Sequence, residues 1–191
     1  MTKAQLRDKY RAILKSITSR DRSEKSKLAC SKLIATPQFR DASVIMMFLS
    51  MPSEPDTTDA IRCAWQNGKT IAAPKVLWKK KDMVPVRIDS LDNGFKIEES
   101  GLRNPITNKE VPVEEIDLVV IPALVFDHGG YRVGRGGGYY DKFLANSALK
   151  AIKCGFGYAE QLLKEEFIPA GHKDVPLDML VTDKEVLYFS N

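Results

Sequence analysis

The first apolar positions, Leu6, Tyr10, Ile13, Leu14 and Ile17, recur three and four apart, the spacing of one buried helical stripe. Thr2-Lys3-Ala4-Gln5 has the form of a capping box, in which the threonine and glutamine side chains satisfy donors of the first turn. Ser19 reads as the N-cap of a second helix, with Asp21 and Glu24 near its positive end, and that helix should stop at about Ala35, before Pro37. The pattern then changes. Ser43 to Leu49 is a short unbroken apolar run, as expected of a strand covered on both faces. Thr57 or Thr58 caps a helix ending at Gly68, and Thr70 to Pro74 reads as the next strand, a βαβ unit that predicts a parallel sheet.

Trp78 to Pro112 is the least regular stretch. Its lysine run, Lys79 to Lys81, and a strand at Met83 to Ile88 suit a solvated hairpin or sheet edge. The alternation of strands and helices then resumes. Ile116 to Ile121 is a buried strand, followed by a long loop from Pro122 to Gly138, a helix from Tyr139 to about Leu149 and a strand at Ile152 to Phe156. A helix at Ala159 to Glu166 and strands at Met179 to Thr182 and Val186 to Phe189 complete the chain. The expected fold is one α/β domain over residues 1–191, a mainly parallel sheet flanked by helices, with a helical N-terminal arm.

The 191 residues are 43% apolar, enough to bury a core. A net charge of +4, from 29 basic and 25 acidic residues, suits an anionic small molecule as well as nucleic acid. The basic residues alternate with acids along most of the chain, which makes a nucleic-acid module the lesser alternative. Cys30, Cys63 and Cys154 are widely spaced, without a Cys-x-x-Cys pair, so a reducing compartment is expected rather than disulfides or structural zinc. The charged N-terminus does not resemble a signal peptide, and no stretch approaches the ~18 apolar residues of a membrane span. The expectation is a cytoplasmic monomer with no membrane or nucleic-acid partner. His128 and His172 are the only histidines, and no local motif supports nucleophilic catalysis by the protein.

The densest chemical signal is the block Arg132-Val133-Gly134-Arg135-Gly136-Gly137-Gly138-Tyr139-Tyr140-Asp141, between a strand and a helix. Glycines let phosphate oxygens approach backbone N–H groups, a following helix adds partial positive charge, and the arginines can each grip phosphate with two hydrogen bonds. No Gly-Lys-Ser/Thr follows, and Tyr139 stands where a dinucleotide fingerprint needs its third glycine. A flexible turn with solvated arginines is the alternative. Lys3 and Arg7 share a helix face and could reach the same phosphates, or belong to a solvated face. Asp141, Asp174 and Asp178 are candidates to hold Mg²⁺ against phosphate. Asp141 is equally readable as a first-turn helix acid and Asp178 as a turn residue. Glu54 lies past a buried strand, where either a recognition carboxylate or an ordinary loop acid would sit.

Together these residues resemble the 5-formyltetrahydrofolate cyclo-ligase (5,10-methenyltetrahydrofolate synthetase) family over almost the whole chain. The resemblance runs through Lys3-x-x-x-Arg7, Ser50-x-x-x-Glu54-x-Asp56-Thr57, Gly68-Lys69, Pro74 and Pro122-x-x-x-Phe126-Asp127-x-x-Gly130. It continues through Gly134 to Asp141 and Asp178-x-x-x-Thr182. Departures are Ala123 after Pro122, Glu98-Glu99 after Ile97, and Lys173 between His172 and Asp174. The resemblance implies a Rossmann-like fold related to sugar-phosphate isomerases and CoA transferases. It implies ATP as co-substrate with Mg²⁺, and cyclisation of 5-formyltetrahydrofolate. It places ATP on Lys3, Ala4, Gln5, Leu6, Arg7 and the Arg132 to Tyr140 loop, with Arg135 catalytic. It makes Asp141 and Asp178 the metal ligands, and Leu49, Glu54 and Phe95 the folate contacts. A sugar-phosphate isomerase or phosphotransferase of the wider fold is the alternative enzyme.

Overall fold

A computed structural model describes residues 1–190; Asn191, the last position of the expected domain, lies outside them. Seven strands form one sheet. They are β1 (Val44–Met47), β2 (Thr70–Leu77), β3 (Asp82–Arg87), β6 (Leu118–Ile121), β9 (Ile152–Phe156), β10 (Met179–Val181) and β11 (Val186–Tyr188). Their order is β11-β10-β9-β6-β1-β2-β3. The central pairs are parallel, Ile45 standing beside Ile71 on one side and Leu118 on the other. Only the edge strands β3 and β11 run antiparallel, and β3 is the edge to which the lysine run leads. Two small hairpins, β4 (Phe95–Ile97) with β5 (Arg103–Pro105) and β7 (Val125–Phe126) with β8 (Arg132–Val133), stand apart.

Alternation along the strands divides the core. Ile45 and Met47 join Ile71, Ala73, Leu118 and Val120 under α2 (Ser19–Ala35), α3 (Pro37–Asp41) and α4 (Thr58–Gln66). Met46, Ala72, Val119 and Ile121 face the other way, toward Phe143 and Leu144 of α5 (Tyr139–Leu144). With both faces covered, the strands read as continuous apolar runs. The N-terminal arm α1 (Lys3–Ser16) buries Leu6, Tyr10 and Leu14 against Val125 and Val133 of the β7–β8 hairpin, in a third cluster with Tyr158.

Several boundaries differ from those expected. Thr18, not Ser19, caps α2, because its hydroxyl accepts from the Asp21 N–H. Thr57 precedes α4 without capping it; its hydroxyl donates instead to the Phe48 carbonyl, tying the loop to the end of β1. The stretch from Pro122 to Gly138 is not an open loop, since it contains the β7–β8 hairpin. The helix expected to reach Leu149 ends at Leu144, before a polar turn in which Asn146 accepts from the Ala148 N–H. The helix expected at 159–166 is one short turn, Ala159–Gln161. Buried Gln161 accepts from the Tyr158 N–H and donates to the Ala123 carbonyl, while Leu163 N–H bonds to Phe126. Those long-range bonds pull the chain straight.

Candidate active site

A cleft of about 460 Å³ opens at the carboxyl ends of the parallel strands. Leu49 and Met51 reach it from β1, Pro122 and Ala123 from β6, and Pro74 and Val76 from β2. The sheet's order reverses between β1 and β6: β1 leads through α4 to β2 on one side, and β6 to β9 on the other. Crevices at such a reversal are where open α/β sheets bind ligands.

One wall is the glycine loop. It leaves β8 at Val133 and enters α5 at Gly138, which begins the helix at a φ of 70° without a side-chain cap. Gly136, at a φ of 111°, lies beneath the Arg7 guanidinium. Both backbones are in the left-handed region that glycine adopts without strain. The N–H groups of Arg135, Gly136 and Gly137 donate to no group among the described residues, and these residues are exposed. Since α5 has six residues, the loop N–H groups and arginines supply most of the anion-binding capacity.

Cations converge on this loop from distant parts of the chain. Arg7 Nε donates to the Gly134 carbonyl at 3.0 Å. Lys3 Nζ donates to both oxygens of Asp174 at 2.5 and 2.6 Å. Buried Arg132 donates to Asp141 at 2.7 Å and to the Val175 carbonyl at 2.7 Å. Arg135 donates to Glu54 at 3.1 Å and to the Ser53 hydroxyl at 3.0 Å. Glu54 also accepts from the Met51 N–H, so it is held in its loop.

Titration follows from these contacts. Burial opposes the charge on Asp174, but the Gly171 N–H and Lys3 outweigh it and hold the carboxyl below its ordinary range. Burial lowers the Arg132 pKa despite the attraction of Asp141. Burial, reinforced by Glu54, raises the Tyr140 phenol above its ordinary value. At neutral pH Asp174 is therefore a carboxylate and the Tyr140 phenol is uncharged.

The structure brings Lys3, Arg7, Leu49, Glu54, Arg132, Val133, Gly134, Arg135, Gly136, Gly137, Gly138, Tyr139, Tyr140 and Asp141 to one cleft. It does not bring the other expected residues there. Ala4 is exposed, Gln5 caps α1 through the Thr2 N–H, and Leu6 is buried beneath the helix. Phe95 packs against the first core cluster, with Arg103 over its ring. Asp178 lies elsewhere: it precedes β10, accepts from the Lys153 N–H at 2.7 Å and pairs with Lys153 Nζ at 3.1 Å. That is the amino end of β9 and β10, opposite the strand ends that form the cleft. Asp174, weighed with it from the sequence, is the carboxylate that lines the cleft. Trp78 and Arg103 also line it. They carried no sequence signal, being an aromatic beside a lysine run and an arginine in an irregular stretch.

Asp141 and Asp174, both lining the cleft, are carboxylates that could hold a Mg²⁺ ion. Among the described residues no group of three or more His, Cys, Asp or Glu could hold a metal alone. Asp141 and Asp174 pair with Arg132 and Lys3, and Mg²⁺ ordinarily takes one or two carboxylates and completes its shell with phosphate and water.

The model of the 5-formyltetrahydrofolate cyclo-ligase family matches residues 1–183. The mouse 5-formyltetrahydrofolate cyclo-ligase is 28% identical over 194 residues, covering 96% of this chain and 91% of its own. The Aquifex aeolicus 5,10-methenyltetrahydrofolate synthetase structure superposes with a TM-score of 0.84 at 28% identity, covering 100% of this chain and 94% of its own. A Mycoplasma pneumoniae 5,10-methenyltetrahydrofolate synthetase shares the fold, with a TM-score of 0.76 at 22% identity, covering 96% of this chain and 99% of its own.

Proposed function

The chain belongs to the 5-formyltetrahydrofolate cyclo-ligase family, and from that premise we propose that it uses Mg-ATP to cyclise 5-formyltetrahydrofolate to 5,10-methenyltetrahydrofolate. The observation that carries this reading is the convergence of Lys3, Arg7, Arg132 and Arg135 on an exposed glycine loop beside Glu54 and Leu49. One cleft thus offers a polyphosphate site next to a carboxylate and an apolar shelf.

In the proposed reaction the formyl oxygen attacks the γ-phosphorus of ATP, forming a C–O–P linkage as the bond to the β-phosphate oxygen breaks and ADP leaves. The N10 nitrogen then adds to the formyl carbon, closing a five-membered ring. Phosphate departs with the carbon–oxygen bond, and the N10 proton passes to the departing phosphate. No protein nucleophile is required, in keeping with a cleft lined mainly by cations, carboxylates and apolar groups, with hydroxyls at Ser100, Tyr139 and Tyr140. Ring closure within one bound molecule gains from orientation.

The protein's part is positioning and charge. Arg135 is the cation placed between the glycine loop and Glu54, so it meets both the phosphoryl group and the folate side. Lys3, Arg7 and the loop N–H groups hold the remaining phosphates. Mg²⁺ on Asp141 and Asp174 would neutralise phosphate charge. Glu54 accepts the donors of the pterin ring, and Leu49 and Met51 pack against its face. Each binding cation now faces a carboxylate or a carbonyl, so substrates enter by exchanging partners. Free thiols at Cys30, Cys63 and Cys154 fit a reducing cytoplasm, and no helix among the described residues is long and apolar enough to cross a membrane. The reading takes the protein as a monomer.

The test is to mix the protein with 5-formyltetrahydrofolate and Mg-ATP and follow the near-ultraviolet band of the methenyl product. A band requiring both ATP and Mg²⁺ is expected. Folded protein giving no band would overturn the reading.

A further inference from the structure

The cations of the cleft are of two kinds. On the glycine-loop wall, Lys3, Arg132 and Arg135 oppose Asp174, Asp141 and Glu54, and Arg7 caps a carbonyl. Across the cleft, Arg103 stands at the start of β5 beside Ser100 and Leu102. Among the described residues no carboxylate pairs with it. The acid on the same hairpin, Glu98, is engaged by Lys96 and by the Trp78 indole N–H, each at 3.3 Å. Yet Arg103 is not loose. Its guanidinium lies over the Phe95 ring, 5.8 Å from the centroid, and one nitrogen donates to the Leu91 carbonyl at 3.3 Å. The remaining donors of a fork held this way suit a carboxylate, which they can bind through two parallel bonds.

A folate has a pterin at one end and a glutamate, with two carboxylates, at the other. On the proposed reading, the pterin lies at Glu54 and Leu49, with the formyl group toward the glycine loop. The glutamyl end then has to lie away from the phosphates, whose charge repels it. The wall that carries Arg103 is the cationic part of the cleft lying outside the phosphate site.

We propose that Arg103 receives a glutamyl carboxylate of the folate, and that Phe95 is a positioning residue that holds the guanidinium for it. Arg103 sets specificity for the tail of the substrate and takes no part in phosphoryl transfer. Phe95 acts without touching the folate. This inference rests on the proposed function and deepens it.

The experiment compares 5-formyltetrahydrofolate with 5-formyltetrahydropteroate, which lacks the glutamate, for wild type and variants of the full chain. Wild type is expected to favour the glutamate-bearing substrate in KM by about 10-fold to 100-fold, the range of a charge-assisted hydrogen-bonded pair. Arg103→Ala should raise KM for that substrate alone and erase the preference, with kcat unchanged. Arg103→Lys should restore part of it, and Phe95→Leu should lose part while Phe95→Tyr keeps it. An Arg103→Ala variant that keeps the preference, or loses affinity equally for both substrates, overturns the proposal. Absence of turnover by wild type would instead overturn the reading on which it rests.

Discussion

The two walls of the cleft are built differently. The glycine loop grows from the β7–β8 hairpin, which is locked to α1 through Leu6, Tyr10 and Leu14, all at most 4% exposed. Its cations are then fixed by carboxylates and carbonyls. The opposite wall, the β4–β5 hairpin, has two strands of three residues each. Its β5 strand is hydrogen-bonded to the sheet through a side chain: Asn104 accepts from the Val76 N–H at 2.9 Å and donates to its carbonyl at 3.0 Å, as a neighbouring strand would. On the proposed function the wall that would meet developing charge is the one held by a buried core, so its dipoles would need no rearrangement during phosphoryl transfer. On the proposed function the wall that would admit the folate is held by Asn104 and by Phe95 against the first core cluster, fewer anchors than α1 gives the glycine loop.

The largest effects should come from the rigid wall. Arg135→Ala should lower kcat by about 10²-fold to 10³-fold, the loss seen when one preorganised donor is removed, with a smaller change in folate KM. Steady-state kinetics at saturating ATP would show this, and the reverse pattern would confine Arg135 to binding. Asp174→Asn should abolish most Mg-dependent turnover. Asp178→Asn should leave turnover intact and lower stability by at most about 1 kcal/mol, because the amide oxygen can still accept from the Lys153 N–H while the part-exposed ion pair with Lys153 is lost. A Mg²⁺ titration of the two variants would separate them, and equal activity loss would return Asp178 to the site.

The attached wall should respond in binding alone. Asn104→Ala leaves the Val76 N–H and carbonyl without this partner and should raise folate KM by about 10-fold, with nucleotide affinity unchanged. Calorimetric titration with Mg-ADP provides the control. Glu54→Gln should weaken folate binding. It should also tighten Mg-ADP a few-fold (about 1 kcal/mol), since Arg135 no longer has a carboxylate competing with phosphate. Unchanged nucleotide affinity would show that the Glu54–Arg135 ion pair does not compete with phosphate.

The smallest effect concerns pH. Asp174 titrates below its ordinary 3.8, so its pair with Lys3 contributes stability that is full above that value. The contribution is lost as pH falls through the lower folded value. Lys3→Met should flatten this acid limb in Tm against pH, with a change at neutral pH of no more than about 1 kcal/mol.

Much of the fold was legible in short stretches. The Thr2–Gln5 capping box, the α1 stripe and the β1, β6 and β9 runs depend on neighbours within a few residues. The glycine loop was legible for the same reason, as its residue types and order state what its backbone can do. Less was legible from 78 to 112, where strands of three residues are too short for a period to register and Asn104 performs a strand's pairing with a side chain. The helix expected at 159–166 failed because long-range bonds from Gln161 and Leu163 outweighed local propensity.

The sequence by itself determined the layered α/β architecture, the capped arm and an exposed glycine loop bearing arginines, because caps, periodicities and glycine freedom are properties of adjacent residues. Tertiary structure alone decided which charges meet. Asp174 and Asp178 are four apart and alike in chemistry, yet one lies on the cleft beside Lys3, 171 positions away, and the other at the opposite end of the strands. Sheet order and strand direction place them, and an electrostatic contact depends on distance in space, which sequence separation does not encode.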